Sequence, residues 1–249
     1  MRRELRLFFT ALTFLTRLPC ARWAGNDEED LGHAVRYFPL TGMLVGALAA
    51  LVFWLVDRWM PQHIAVIASM IATLWVTGAF HEDGLADTAD GLGGGWSKEQ
   101  VLTIMKDSRI GSYGAIALVM GLLTKYATLE ALTAPLLPTV LVAGHTLSRF
   151  AAVLLMRTQP YVRDTGKSKA VVQPLGWGAL LFALVPVVFA LLLLPAPSWW
   201  ALLPVALVWL WFASRLRQRL GGYTGDCLGA MQQLCELTFY LGVLACSFT

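Results

Sequence analysis

The sequence predicts an all-α integral membrane protein, a polytopic bundle of about seven transmembrane helices with an additional N-terminal interfacial helix. Two observations carry this prediction. Apolar residues make up 57% of the 249 residues and charged residues only 14%, with a mean hydropathy of +0.62. Several windows also approach the ~20 apolar residues that a helix needs to cross ~30 Å of hydrocarbon. Such a composition lies outside the range of soluble domains.

The elements follow in order along one polytopic domain, residues 1–249, without a linker or an internal repeat. Residues 3–18 form an apolar stretch behind a basic leader, and no small-residue cleavage site follows it, which predicts a retained helix along the membrane surface. The predicted spans are 39–56, 64–80, 112–131, 137–156, 175–194, 198–214 and 228–247.

The basic residues orient these spans. Of the 19 Lys and Arg residues, Lys125 and Arg149 fall within spans, Arg58 alone falls on one side, and all the others fall on the opposite side. Basic loops stay in the cytoplasm, which predicts a multi-pass protein of the cell (inner) membrane. The net charge of +3 reflects this bias and not a nucleic-acid partner. The predicted cytoplasmic loops are 81–111, 157–174 and 215–227.

An acidic motif, HEDGLADTADG, follows the second predicted span at residues 81–91. If it is helical, Asp83, Asp87 and Asp90 fall within ~60° on one face, and Glu82 joins them from the first turn. Clustered carboxylates repel each other unless a cation lies between them. Oxygen-only ligands favour Mg²⁺ or Mn²⁺ over zinc. The predicted metal ligands are Glu82, Asp83, Asp87 and Asp90; the alternative is a solvated loop.

Two further groups of polar residues flank predicted spans. The segment KDSRIGSYG brings Lys106, Ser108 and Arg109 to the start of the third span, where they could clamp a phosphate or simply extend to the membrane surface. Near the C-terminus, Asp226 and Glu236 share one helix face, and ionisable groups inside a span usually line a cavity or contact a partner. A structural hydrogen bond is the alternative for Glu236. Arg149 lies near enough to the cytoplasmic end to contact an anion.

Taken together, the motifs resemble those of the cobalamin synthase family, the adenosylcobinamide-GDP ribazoletransferases. They extend over nearly the whole chain. The motifs are FLTRLP (14–19), FPLTG (38–42), FHEDGLADTADG (80–91), MKDSRIGSYG (105–114), the SR pair at 148–149 and GGYTGDCLGA (221–230).

The resemblance implies a membrane transferase late in cobalamin (vitamin B12) biosynthesis. It would join adenosylcobinamide-GDP to α-ribazole or its 5′-phosphate and release GMP, with Mg²⁺ as cofactor and the lipid bilayer as surroundings. Whether it forms a homo-oligomer stays open. In this reaction the four acids would hold Mg²⁺ on the pyrophosphate, and either Asp226 or Asp90 would be the base. The implied substrate-binding residues are Lys106, Ser108, Arg109, Arg149 and Glu236.

Two other functions remain open from the sequence. A CDP-alcohol-type phosphotransferase carries a related acidic signature, although Asp83-Gly84 is not followed here by that family's spacing. A cation transporter would use the acids as an ion path. The released product separates the three, because the ribazoletransferase frees GMP, the CDP-alcohol enzyme frees CMP and a transporter frees neither.

Overall fold

The computed structural model describes residues 2–25, 28–163 and 175–247, which leaves most of the predicted loop 157–174 outside the described residues. Regular structure in these ranges is helical, apart from an isolated bridge between Tyr161 and Tyr223. The α-helices are α1 (Arg2–Leu15), α2 (Glu28–Ala34), α3 (Phe38–Asp57), α4 (Gln62–Thr77), α5 (Phe80–Gly94), α6 (Lys98–Ile104), α7 (Ser112–Ala131), α8 (Leu137–Thr158), α9 (Trp177–Leu192), α10 (Leu202–Leu220) and α11 (Gly225–Cys246).

The chain is a helical membrane protein with four or five candidate spans among the described residues. The four helices that are long and apolar enough are Glu29–Asp57, Ser112–Ala131, Leu137–Thr158 and Ala196–Leu220. A fifth results if α4 and α5, bent by 85°, count as one span. Helices lie in all seven predicted spans. Two of them are not long or apolar enough to count as candidate spans, because α9 has only 16 residues and α11 carries polar side chains such as Glu236.

The helix α8 lies at the centre of the bundle, between α3 and α11. The apolar part of α8 is 72% buried within the protein, whereas that of α7 is 22% buried, so that most of the α7 surface is exposed. Two glycines bring α3 close to α8. A Cβ at Gly42 would lie 2.3 Å from the His145 carbonyl oxygen, and one at Gly46 would lie 2.7 Å from the Val142 Cα.

The predicted N-terminal helix is present as α1. Its buried residues Leu7, Ala11 and Leu15 recur at i, i+4 and i+8 and form one stripe, as an amphipathic helix requires. This stripe packs in one apolar cluster with Val35, which precedes α3, and with Phe38, the first residue of α3. The exposed residues of α1, Arg3 to Arg6, lie in its N-terminal part, and its location along the membrane surface stays a prediction.

Candidate active site

A sharp turn between α4 and α5 aims the acidic helix. Gly78 and Ala79 both adopt left-handed backbone conformations, with φ of 67° and 56°, and α5 starts at the next residue. Arg17 covers this turn, since its backbone N–H donates to the Val76 carbonyl at 2.7 Å and its guanidinium lies where a Cβ on Gly78 would be. The FLTRLP segment thus supports the start of the acidic helix.

The helices α5 and α11 cross at two glycines, which places Asp226 against the acidic motif. A Cβ at Gly84 would lie 2.7 Å from the Asp226 carbonyl oxygen, and one at Gly229 would lie 3.0 Å from the His81 carbonyl oxygen. The helical conformation predicted for the motif is confirmed. The carboxylates of Asp226 and Asp83 repel that of Asp87. We call Asp83, Asp87 and Asp226 the acidic face.

Arg163 is a cation at this face that the sequence motifs did not indicate. Its guanidinium lies 2.8 Å from Asp226 Oδ2 and also donates to the Met105 carbonyl at 3.2 Å. Backbone hydrogen bonds hold the segment in place, because Val162 N–H donates to the Tyr223 carbonyl and Tyr223 N–H to the Pro160 carbonyl, both at 3.0 Å. No spacing in the sequence relates residue 163 to residue 226, so only tertiary structure could find this pair.

Asp90, a candidate base and metal ligand, is engaged at the start of α7. Its Oδ2 accepts from the Gly111 N–H at 2.7 Å and its Oδ1 from the Gly114 N–H at 2.8 Å. A carboxylate at a helix N-terminus satisfies N–H groups that have no partner within the helix. A Cβ at either glycine would lie within 2.4 Å of these oxygens, so both positions need glycine. Asp90 therefore joins α5 to α7.

Glu82 points away from the acidic face. It is buried, and its Oε1 accepts from the Gln233 side chain at 2.9 Å, while Oε2 has no hydrogen-bond partner. The four predicted metal ligands are thus divided among three environments. Across the described ranges, no three His, Cys, Asp or Glu side chains are close enough to surround a metal ion. Mg²⁺ commonly needs only one or two carboxylates when substrate phosphates supply further oxygens, and the acidic face fits that smaller donor set.

The predicted phosphate clamp is exposed. Lys106, Ser108 and Arg109 face solvent, and Arg109 pairs with Asp107 at 2.7 Å. Hydrogen bonds from the Arg109 side chain and backbone lower the pKa of Asp107 to about 2. Over the described part of the chain, the structure shows no contact between these three side chains and the acidic face. Their role in binding phosphate stays a prediction.

A buried polar cluster surrounds Glu236 in the middle of the bundle. Lys125 pairs with its Oε1, and His145 Nδ1 lies 2.9 Å from Oε2. Oε2 also accepts from the side chains of Gln232 at 2.6 Å and Ser148 at 3.3 Å. Both carboxylate oxygens are therefore satisfied by the protein, which favours the structural alternative for Glu236. Lys125 does not extend to the membrane surface, since it is only 5% exposed.

Comparisons with known proteins show the family of the chain. The family model described as cobalamin-5-phosphate synthase, CobS, matches residues 7–244. An adenosylcobinamide-GDP ribazoletransferase of Shewanella woodyi is 49% identical, covering 99% of this chain and 98% of the relative. That of Shewanella frigidimarina is 47% identical, covering 98% and 95%. No solved structure matches the chain. With a family match over almost its whole length, the chain belongs to the cobalamin-5-phosphate synthase (CobS) family.

Proposed function

We propose that the chain transfers the cobinamide phosphate of adenosylcobinamide-GDP to α-ribazole or α-ribazole 5′-phosphate, the last assembly step of cobalamin. The ribazole 3′-hydroxyl oxygen forms a bond to the phosphorus that carries cobinamide. The bond from that phosphorus to the bridging oxygen breaks, and GMP leaves with that oxygen. The hydroxyl proton passes to a carboxylate of the site. The products are adenosylcobalamin, or its 5′-phosphate, and GMP.

One observation carries this proposal beyond family membership. The acidic face lies at the crossing of α5 and α11 with one guanidinium, that of Arg163, paired to it. Phosphoryl transfer depends mainly on positioning and on neutralising charge that spreads over phosphoryl oxygens. A group of carboxylates beside a cation supplies both a site for a divalent ion and a direct contact for phosphate.

The residues divide these roles as follows. Asp83 and Asp87 would hold Mg²⁺, which supplies Lewis-acid polarisation of the diphosphate when bound. Asp226 is the better base of the two candidates, because both Asp90 oxygens already accept backbone hydrogen bonds. Asp226 faces the same site, and its neighbour Arg163 would orient it. Glu82, turned toward Gln233, would contribute only after a rearrangement.

We also propose the membrane arrangement in its finer form. Seven helices cross the cell (inner) membrane, with α9 as a short span and α11 as a span whose polar residues Gln232 and Glu236 face the bundle interior. The acidic face then opens to the cytoplasm, on the side that carries nearly all Lys and Arg residues. Accessibility of single cysteines introduced at Lys98 and Gln62 to a membrane-impermeant thiol reagent tests this arrangement. Labelling of both from the same side contradicts it.

GMP release tests the function itself. Purified protein incubated with adenosylcobinamide-GDP and α-ribazole 5′-phosphate is expected to release GMP in proportion to product, and chelation of Mg²⁺ is expected to stop it. Release of CMP from a CDP-alcohol donor instead would indicate the related phosphotransferase. If the assembled, detergent-solubilised protein released neither GMP nor CMP, this result would contradict both enzyme functions and favour the transporter.

Arg163→Gln is expected to lower kcat/KM for adenosylcobinamide-GDP by about 10- to 10²-fold, the range of one charge-assisted contact to phosphate. The substitution removes a guanidinium 2.8 Å from Asp226. Arg163→Lys should recover part of the loss. The exposed Arg217→Gln is the matched control, since it removes an arginine from the same side of the protein. Equal kinetics of Arg163→Gln and Arg217→Gln would contradict the role.

A further inference from the structure

The cation of the acidic face depends on a short segment behind α8. Arg163, which pairs with Asp226 at 2.8 Å, lies beyond Thr158, the last residue of α8. Arg149, the other arginine expected to contact an anion, is 2% exposed and donates to a backbone carbonyl of its own helix at 3.0 Å. We call residues 159–162 the connecting segment. Its position decides whether the Arg163 guanidinium reaches the acidic face.

The connecting segment runs alongside the turn between α10 and α11. The Tyr223 N–H donates to the Pro160 carbonyl, and the Val162 N–H donates to the Tyr223 carbonyl, both at 3.0 Å. These bonds belong to an isolated parallel bridge, in which the rings of Tyr161 and Tyr223 meet edge-on with centroids 5.6 Å apart. Tyr223 is 2% exposed, so water has little access to this contact. The turn thus fixes the backbone that leads to Arg163.

Gly222 allows the connecting segment to lie this close to the turn. A Cβ at this position would lie 2.0 Å from the Pro160 carbonyl oxygen and 2.7 Å from Val162 Cγ1. The need for glycine comes from this close approach and not from the backbone conformation, because the positive φ of the turn is at Gly221. Any side chain at Gly222 would therefore push the connecting segment away from α11.

The Gln159 side chain is a second anchor. Its Nε2 donates to the Ala213 carbonyl in α10 at 2.6 Å. Gln159 follows directly on α8, so this bond ties the start of the connecting segment to α10, while the bridge ties its middle to the turn. Among the described residues, neither Gln159 nor Gly222 forms a hydrogen bond with the acidic face.

A displaced connecting segment would separate Arg163 from both of its acceptors. Nonbonded atoms settle at ~3.5–4.0 Å, so a Cβ at Gly222 requires a shift of about 1.5 Å. Arg163 uses Nη2 for both of its contacts, at 2.8 Å to Asp226 and at 3.2 Å to the Met105 carbonyl. A donor and an acceptor about 3.6 Å apart no longer form a hydrogen bond. A shift of this size exceeds what either contact tolerates.

We propose that Gly222 and Gln159 are positioning residues, which hold the connecting segment so that the Arg163 guanidinium meets the acidic face. On the function proposed above, they set how tightly the donor diphosphate is bound, because Arg163 is the direct contact for phosphate. Their effect on the reaction passes through Arg163.

Steady-state kinetics of Gly222→Ala test the proposal. KM for adenosylcobinamide-GDP is expected to rise by about 10- to 10²-fold, the range of one charge-assisted contact to phosphate, whereas KM for the acceptor stays unchanged. Gln159→Leu should raise the same KM by about 2- to 10-fold, because it removes one neutral hydrogen bond. A merely structural defect would reduce the amount of active protein. It would lower kcat, leave both KM values unchanged and overturn the proposal.

A double-mutant cycle with Arg163→Gln shows whether the effect passes through that side chain. In the Arg163→Gln background, adding Gly222→Ala should change kcat/KM by no more than ~2-fold. Independent effects would multiply instead, and this result contradicts the proposed role of Gly222. The matched control is Gly176→Ala, because a Cβ there meets no atom within 4 Å. This variant should keep both wild-type KM values.

Hydrogen exchange tests the positioning without turnover. The amides of Val162 and Tyr223, the two donors of the bridge, should exchange faster in Gly222→Ala and Gln159→Leu than in wild type and Gly176→Ala. Wild-type exchange rates at both amides would overturn the proposal. If Gly222→Ala does not assemble, Gln159→Leu carries the kinetic and the exchange measurement. If wild type releases no GMP, the proposed function fails, whereas the exchange rates still decide whether these residues hold the segment.

Discussion

Asp87→Asn is expected to lower GMP release by about 10²-fold or more while leaving the protein assembled. Asp87 is the middle residue of the acidic face, and the carboxylates of Asp83 and Asp226 act on it from both helices of the crossing. The amide keeps the shape of the side chain but removes the charge that would hold a divalent ion. Removing one preorganised hydrogen-bond donor from an oxyanion hole typically costs ~10²–10³-fold in kcat, and we expect a loss of similar size for a carboxylate that holds the metal ion.

Initial rates over a series of Mg²⁺ concentrations measure this effect. If Asp87 holds the ion, the variant should need more Mg²⁺ for half-maximal rate, and higher Mg²⁺ should restore part of the activity. Glu99→Gln is the matched control, because Glu99 is an exposed acid in the neighbouring helix α6. Thermal unfolding of both variants in detergent separates a catalytic loss from misfolding. Wild-type rates in a folded Asp87→Asn variant would move the chemistry away from the acidic face.

The helical framework could be predicted from local patterns. Apolar runs located α7 at residues 112–131, the same bounds as in the structure. The spacing of Asp83, Asp87 and Asp90 depended only on helix geometry, and α5 is helical. The number of spans could not be predicted in the same way, because hydropathy does not tell whether a short apolar helix such as α9, or a helix with buried polar residues such as α11, crosses the membrane.

The partners of the polar residues could not be predicted, because they come from distant parts of the chain. The acidic side chains on one face of α5 were expected to bind a metal ion together. Asp90 instead accepts hydrogen bonds from backbone N–H groups at the start of α7. Arg163 belongs to a segment without a motif, and its place beside Asp226 depends on backbone bonds to Tyr223. Sequence spacing fixes which side chains share a face. It does not fix which helix packs against that face.

Lys125→Met is expected to lower the free energy of unfolding by about 3–5 kcal/mol, because it leaves the buried Glu236 carboxylate without its lysine partner. Glu236 is 1% exposed, so solvent cannot take over the contact. The double variant Lys125→Met/Glu236→Gln should be more stable than Lys125→Met alone, since the amide carries no charge and still fits beside Gln232 and Ser148. Thermal and denaturant unfolding in detergent measure both. Equal stability of the single and double variants would contradict an ion pair of this strength.

The same double variant separates the two roles open for Glu236. If the carboxylate only balances the charge of Lys125, the double variant should be both more stable and faster in GMP release than Lys125→Met, because nothing else in the site has changed. If it contacts substrate, the double variant should be stable but slow. Since both carboxylate oxygens are held by Lys125, His145, Gln232 and Ser148, we expect recovery. In that case Glu236 fixes the contact of the middle of α11 with α7 and α8, and thereby the position of Asp226 at the N-terminal end of α11.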